Sequence, residues 1–189
     1  METARLIDVP EHLVRKWRKL FHYRDANHDG FITEEDYVDY AENFVQKYGD
    51  RVLAVREVKE LLWDTASLFA DKTGVDEEGY VKSFSHLWKH DRESFMAKIE
   101  KYCNLVFDAI DLNGDDSISK EEYGFYQNCF GVMNTDYIEL MFSYLYTNGD
   151  CKISRQEFVK PIMDYVFKNA PEDIPVMYDA EKAANFRFT

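Results

Sequence analysis

The stretch Asp111-Leu112-Asn113-Gly114-Asp115-Asp116-Ser117-Ile118-Ser119-Lys120-Glu121-Glu122 decides how the chain is read. Oxygen-bearing side chains recur at alternate positions, and the last residue is a glutamate. Asp111, Asn113 and Asp115 offer oxygens at loop positions one, three and five. The Ser117 carbonyl serves position seven, Ser119 acts at position nine through a water, and Glu122 closes the set with both carboxylate oxygens. Calcium is a hard cation that takes six to eight oxygens at roughly 2.3–2.6 Å, and short carboxylates alternating along a tightly curled backbone supply them.

Ser119 and Glu122 also spell a helix capping box, in which side chains satisfy the orphan amides of a first helical turn. The flanks show that both readings hold together. Cys103, Val106, Phe107 and Ile110 fall on one face of a helix leading into the loop, and Tyr123 and Tyr126 continue an apolar face beyond it. Helix, twelve-residue oxygen-rich loop, helix is the EF-hand unit. Asp116 at position six stands where glycine normally makes the left-handed turn, and aspartate is among the few residues that tolerate it.

A second loop of the same grammar occurs earlier. Val14, Trp17, Leu20 and Phe21 share one helical face and deliver the chain to Asp25-Ala26-Asn27-His28-Asp29-Gly30-Phe31-Ile32-Thr33-Glu34-Glu35-Asp36. Asp25, Asn27 and Asp29 take positions one, three and five, Phe31 offers its carbonyl and Thr33 takes position nine. Asp36 replaces the closing glutamate. Its shorter side chain reaches less readily with two oxygens, so magnesium is expected to compete there. Tyr37, Tyr40, Ala41, Phe44 and Val45 then give the apolar face of an exiting helix.

Two further units are degenerate. A helix from about Val52 to Phe69 precedes Asp71-Lys-Thr-Gly-Val-Asp-Glu-Glu-Gly-Tyr-Val81, where no register supplies the ligands; with Val81 as the central apolar residue, position one is Gly74 and position twelve Ser85. The last unit has Ile138, Met141, Phe142 and Leu145 on its entering helix. Asn148, Asp150, Ser154 and Glu157 hold positions three, five, nine and twelve, but Tyr146 stands at position one and Cys151 at position six. That loop is expected to bind weakly. Pro161 is expected to kink the helix that carries Phe158, Ile162 and Val166. His86 and His90 lie four residues apart without an evident third zinc ligand, so a hydrogen-bonded or solvated pair is the expectation. Trp17, Trp63 and Trp88 are expected in the core, with the lining of a small-molecule cavity as the alternative.

With 14 Phe, 13 Tyr and 3 Trp in 189 residues, a packed core is expected. The net charge of −13 disfavours nucleic-acid binding, which needs clustered Lys and Arg, and suits a cation binder. Cys103, Cys129 and Cys151 are odd in number and lack metal-ligand spacing, which points to reduced thiols in a reducing compartment. The sequence shows no apolar run of membrane-spanning length and no signal-peptide core at its start, and a cytoplasmic protein is expected. No nucleophile, base and orienter fall into a recognisable motif, so the reading is a binding protein and not an enzyme.

Four helix–loop–helix units, an aspartate closing the first loop, a degenerate second loop, a weakened fourth and an apolar tail resemble the sarcoplasmic calcium-binding proteins, and within them most closely the calexcitin-type proteins. The resemblance implies an all-α fold of four EF-hands in two packed pairs. Residues 1–91 and 92–170 would form the pairs, short β-bridges would join the paired loops, and a tail over 171–189 would pack on the helices. The bridges are expected between Ile118 and Ile153 and between Ile32 and Val81. The resemblance also implies a calcium and magnesium buffer, or a calcium-responsive signalling protein that meets a protein partner. Coelenterazine-binding proteins and calcium-activated photoproteins share the layout, so a cavity protein holding a coelenterazine-type ligand is the alternative.

Overall fold

The computed structural model describes residues 9–25, 28–33, 61, 63–70, 74–129 and 133–168. The expected helix after the first loop, most of the 52–69 helix and the tail over 171–189 lie outside these residues.

Helix α1 (Glu11–Arg24) leads into strand β1 (Phe31–Ile32). Residues 63–66 are helical and pass into a 3-10 turn at Ser67–Phe69. Strand β2 (Val75–Asp76) then opens directly into α2 (Glu77–His90). Asp91 separates α2 from α3 (Arg92–Ile110). Strand β3 (Ser117–Ser119), α4 (Lys120–Cys129), α5 (Thr135–Leu145), β4 (Lys152–Ser154) and α6 (Arg155–Phe167) complete the order. Among the described residues helices flank the third and fourth loops as expected, and the short strands pair antiparallel, β1 with β2 and β3 with β4.

The apolar faces read from the sequence are the buried ones. Trp17, Phe107, Ile110, Met141 and Leu145 are each at most 1% exposed. One continuous hydrophobic core runs from α1 to α6, so the two EF-hand pairs share their interior. Trp17 is central to it. Its ring meets Phe84, Trp88 and Phe95 edge-on at centroid distances of 5.6, 6.1 and 6.4 Å, and its indole N–H donates to the Val166 carbonyl at 3.1 Å. Beside it Lys16 is fully buried. Its ammonium donates to the carbonyls of Tyr165 at 3.1 Å and Lys168 at 2.8 Å. A cation on the last carbonyls of α6 meets the negative end of the helix dipole, which makes burial of this lysine tolerable. Trp63 and Trp88 pack partly buried against the same core, in line with the packing expectation for all three tryptophans.

One expectation needs correction. Ile118 pairs with Ile153 as expected, but Ile32 pairs with Val75 and not with Val81. The cause is Asp76, whose side chain accepts the Gly79 amide at 2.7 Å and starts α2 at Glu77, leaving Val81 a full turn inside a helix. The second loop therefore runs from Leu68 to Gly79 in EF-hand register, with no side-chain oxygen at positions one or twelve. Gly74 fits this pairing: its φ is +118°, and a Cβ there would stand 2.7 Å from the Ile32 carbonyl oxygen. Pro161 lies inside α6, which continues on both sides of it. The missing proline amide would have met the Glu157 carbonyl in the first turn, and buried Phe158, Tyr165, Val166 and Phe167 hold the helix on both sides.

Candidate metal centre

The loop over 111–122 is organised by the two carboxylates at its ends. Asp111 closes α3 and Glu122 sits in the first turn of α4; they are only 6% and 7% exposed. Asp111 Oδ1 accepts the amides of Gly114 at 2.8 Å and Asp115 at 3.2 Å, and Oδ2 accepts that of Asp116 at 2.9 Å. This curls the backbone around one side chain. Gly114 and Asp116 take φ of 72° and 61°, the left-handed conformation expected at position six and, unanticipated, also at position four. Asn113 Oδ1 accepts the Asp115 amide at 2.8 Å, and Asp115 Oδ1 accepts the Ser117 amide at 3.0 Å and hydroxyl at 2.6 Å.

Glu122 fastens the far side. Oε1 accepts the amides of Leu112 at 2.9 Å and Asn113 at 3.3 Å, and Oε2 accepts the Ser119 amide at 2.8 Å and hydroxyl at 2.7 Å. The Glu122 amide returns a bond to Ser119 Oγ at 3.2 Å, so the capping box read from sequence is formed. Burial alone would raise the Glu122 carboxyl, but the amides and hydroxyl of this ring hold it below the ordinary carboxylate range. It is therefore anionic at neutral pH. Among the described residues no three His, Cys, Asp or Glu side chains form a ready cluster. The donor set of this loop is instead mixed: two buried end carboxylates, Asp115, Asn113 and Ser119 side chains and the Ser117 carbonyl. Such all-oxygen sets suit calcium, and an incoming ion would replace part of the hydrogen bonds that these carboxylates accept. These are the residues that would hold the ion, and the charge they gather is what it would neutralise.

The first loop repeats the pattern where it is described. Asp25 is 4% exposed and accepts the amides of Asp29 at 3.2 Å and Gly30 at 3.0 Å, the equivalents of the Asp115 and Asp116 bonds. Asp29 accepts the Phe31 amide at 2.9 Å, Gly30 makes the turn at φ 90°, and Thr33 follows β1 half-buried. Asn27 and Asp36 lie outside the described residues.

The fourth loop keeps the frame without the first carboxylate. Asn148 Oδ1 accepts the Asp150 amide at 2.9 Å and Asp150 Oδ1 that of Lys152 at 2.9 Å. Glu157 accepts the amides of Thr147 and Ser154, and its capping box with Ser154 is complete. Burial opposes ionisation of Glu157, yet the Ser154 and Thr147 donors bring its carboxyl down to about 2. Tyr146 occupies position one, and its ring packs on Phe142 at 5.3 Å. Cys151 adopts φ 60°, an uncommon conformation for cysteine.

Two basic residues that the sequence reading did not single out join the third and fourth loops. Lys152 Nζ, at position seven of the fourth loop, lies 2.8 Å from Asp115 Oδ2 and 3.0 Å from Ser117 Oγ. The Lys152 ammonium is the main reason the Asp115 carboxyl is held down to about 2. Arg155 bonds Asp116 and Asp108, both at 2.7 Å, and stacks over Phe107 with its guanidinium 4.3 Å from the ring centre. A usable sequence signal existed: in an antiparallel bridge centred on Ile118 and Ile153, Lys152 falls opposite Ser119 and next to the acidic loop.

A family model described as EF hand matches residues 104–125, which spans the third loop and its flanking turns. The chain is 28% identical over 131 residues to a sarcoplasmic calcium-binding protein of Mizuhopecten yessoensis, a match covering 68% of this chain and 74% of that one. Among solved structures, the photoprotein clytin superposes with a TM-score of 0.71 at 20% identity, covering 89% of this chain and 93% of that chain. The ctenophore photoprotein berovin, whose three calcium-binding loops bind magnesium, superposes with a TM-score of 0.65 at 17% identity over 81% of this chain and 87% of that chain. The chain thus carries an EF-hand match in its third loop and an EF-hand fold, and the sequence relatives it resembles are the sarcoplasmic calcium-binding proteins.

Proposed function

We propose that this chain is a cytoplasmic calcium-binding protein that works as a calcium and magnesium buffer, with its principal calcium site at Asp111, Asn113, Asp115, Ser117, Ser119 and Glu122. The observation that carries this is the pair of buried carboxylates at the two ends of one loop, joined by a ring of amides. Holding like charges in one turn is unfavourable until a cation neutralises them, so calcium should tighten the loop and raise apparent stability by mass action. The sarcoplasmic relatives support the calcium reading. The first loop is a mixed calcium and magnesium site because its closing ligand is Asp36; the magnesium in berovin supports that assignment by analogy. Among the described residues no helix is long and apolar enough to cross a membrane.

A calcium-responsive signalling role with a protein partner is the second reading, and the two differ in what calcium exposes. A sensor opens an apolar groove on binding, whereas a buffer changes little. The six methionines do not cluster along the sequence as such grooves require. Thermal melts in calcium and in chelator test the first step: calcium should raise the melting temperature, and equal values would overturn the proposal. A fluorescent dye for exposed apolar surface should respond little to calcium. A large calcium-dependent rise would replace buffering with signalling.

A further inference from the structure

A partly open cavity lies where the EF-hand pairs meet, with residues of α1, α2, α3, α4, α5 and α6 in its wall. It offers about 60 Å³ of room. At roughly 10–15 Å³ per water this holds about four to six waters, comparable to a single substituted six-membered ring. None of the three tryptophans lines it. Tyr80, Tyr102, Tyr123 and Tyr126 do, among aliphatic side chains, so the wall presents ring faces and edges that suit an aromatic guest.

The wall also carries polar groups: the Arg24 guanidinium, which donates to the Tyr102 hydroxyl at 3.0 Å, and the Gln127 amide, whose oxygen is unmet. Gln127 on α4 is 3% exposed, its amide is hydrogen-bonded to the Tyr123 side chain, and its Oε1 has no hydrogen-bond partner. A buried carbonyl oxygen without a donor is destabilising, and a donor placed beside it removes that cost. We propose that this cavity is a binding site for a neutral single-ring aromatic molecule carrying an O–H or N–H group, with the ring packed among the tyrosines and the donor on Gln127 Oε1. The position suits regulation by the same loops. Tyr80, Tyr123 and Phe158, the residues just after position twelve of the second, third and fourth loops, all line the cavity, and Arg24 precedes Asp25.

The probes are 4-fluorophenol, which has the donor, and 4-fluoroanisole, which does not, titrated against the full chain by fluorine NMR in calcium and in chelator. Binding of 4-fluorophenol about tenfold tighter than 4-fluoroanisole in either condition is expected from one hydrogen bond of ordinary worth. Gln127→Met should remove that preference while leaving 4-fluoroanisole unchanged, and Ile162→Trp, which fills the cavity from α6, should abolish binding of both. Circular dichroism checks the fold of each variant. If Gln127→Met does not fold, the wild-type preference and its loss in Ile162→Trp decide the matter. The proposal is overturned by absence of binding up to about 10 mM in both conditions, by equal binding of the two probes, or by a preference that survives Gln127→Met.

Discussion

The third and fourth loops share almost every backbone device and differ at one decisive position. Both place an asparagine at position three and an aspartate at position five, both bend through a left-handed residue at position six, and both end in a glutamate that completes a capping arrangement with a serine. They are strands of one two-stranded sheet. At position one, however, the third loop has Asp111, which gathers the amides of Gly114, Asp115 and Asp116, whereas the fourth has Tyr146, which turns to the Phe142 ring. Loop shape is thus specified by positions three to twelve, and under the proposed function metal competence turns on position one.

The strongest way to break this comparison is to give each loop the other's weakness. Asp111→Ala removes both a metal oxygen and the acceptor of a buried amide ring. Calcium affinity of the third loop should fall by at least about a hundredfold, and the metal-free protein should lose about 2–4 kcal/mol, since several charge-assisted bonds go at once. Tyr146→Ala should leave the tightest calcium event intact and cost only packing, about 1–2 kcal/mol. Calorimetric titration and chemical denaturation measure the two effects; similar affinity losses in both variants would contradict the division of labour.

The converse change should have a smaller effect. Tyr146→Asp supplies the missing carboxylate to a loop whose Glu157 is already ionised, and should add a calcium event or strengthen a weak one by about tenfold or more, a gain of one anionic ligand. Its size is limited because Cys151 still occupies the left-handed position and Lys152 still stands at position seven. An unchanged titration would show that strain at Cys151, not the absent carboxylate, disables the loop.

Smallest is the effect of the cross-loop lysine. Lys152 places a cation on Asp115 Oδ2, the position-five ligand of the third loop, and an incoming ion must compete with it. The pair is exposed and screened by water, so its worth is small. Lys152→Met should therefore tighten calcium at the third loop by no more than about fivefold, and the gain should shrink with added salt. A weakened site would mean that Lys152 positions Asp115 for the ion and does not compete with it.

How much of this was legible in the sequence follows the same physics. Loop three could be read in full because its ligands, its cap and its flanking faces are all local, and each recurs at fixed spacing. The same held for Asp25, Asp29 and Gly30 in the first loop and for the Ile118 to Ile153 bridge. The second loop was misregistered because it has lost its ligands, which are the marks that set register. Asp76 as a helix cap was the surviving signal, and it outweighs the apolar spacing that favoured Val81. The Lys152 contact could be read only through the Ile118 to Ile153 bridge, whereas the Arg155 contacts, the buried Lys16 and the cavity around Gln127 depend on segments far apart in the chain, and no local pattern announces them.

The central claim is that the third loop is the principal calcium site, and calorimetric titration of Glu122→Gln against wild type tests it most directly. The substitution keeps the size of the side chain but removes the charge and one of the two carboxylate oxygens that close the loop. The account predicts loss of the tightest calcium event, with any event at the first loop preserved; a tightest event unchanged in affinity and stoichiometry would contradict it.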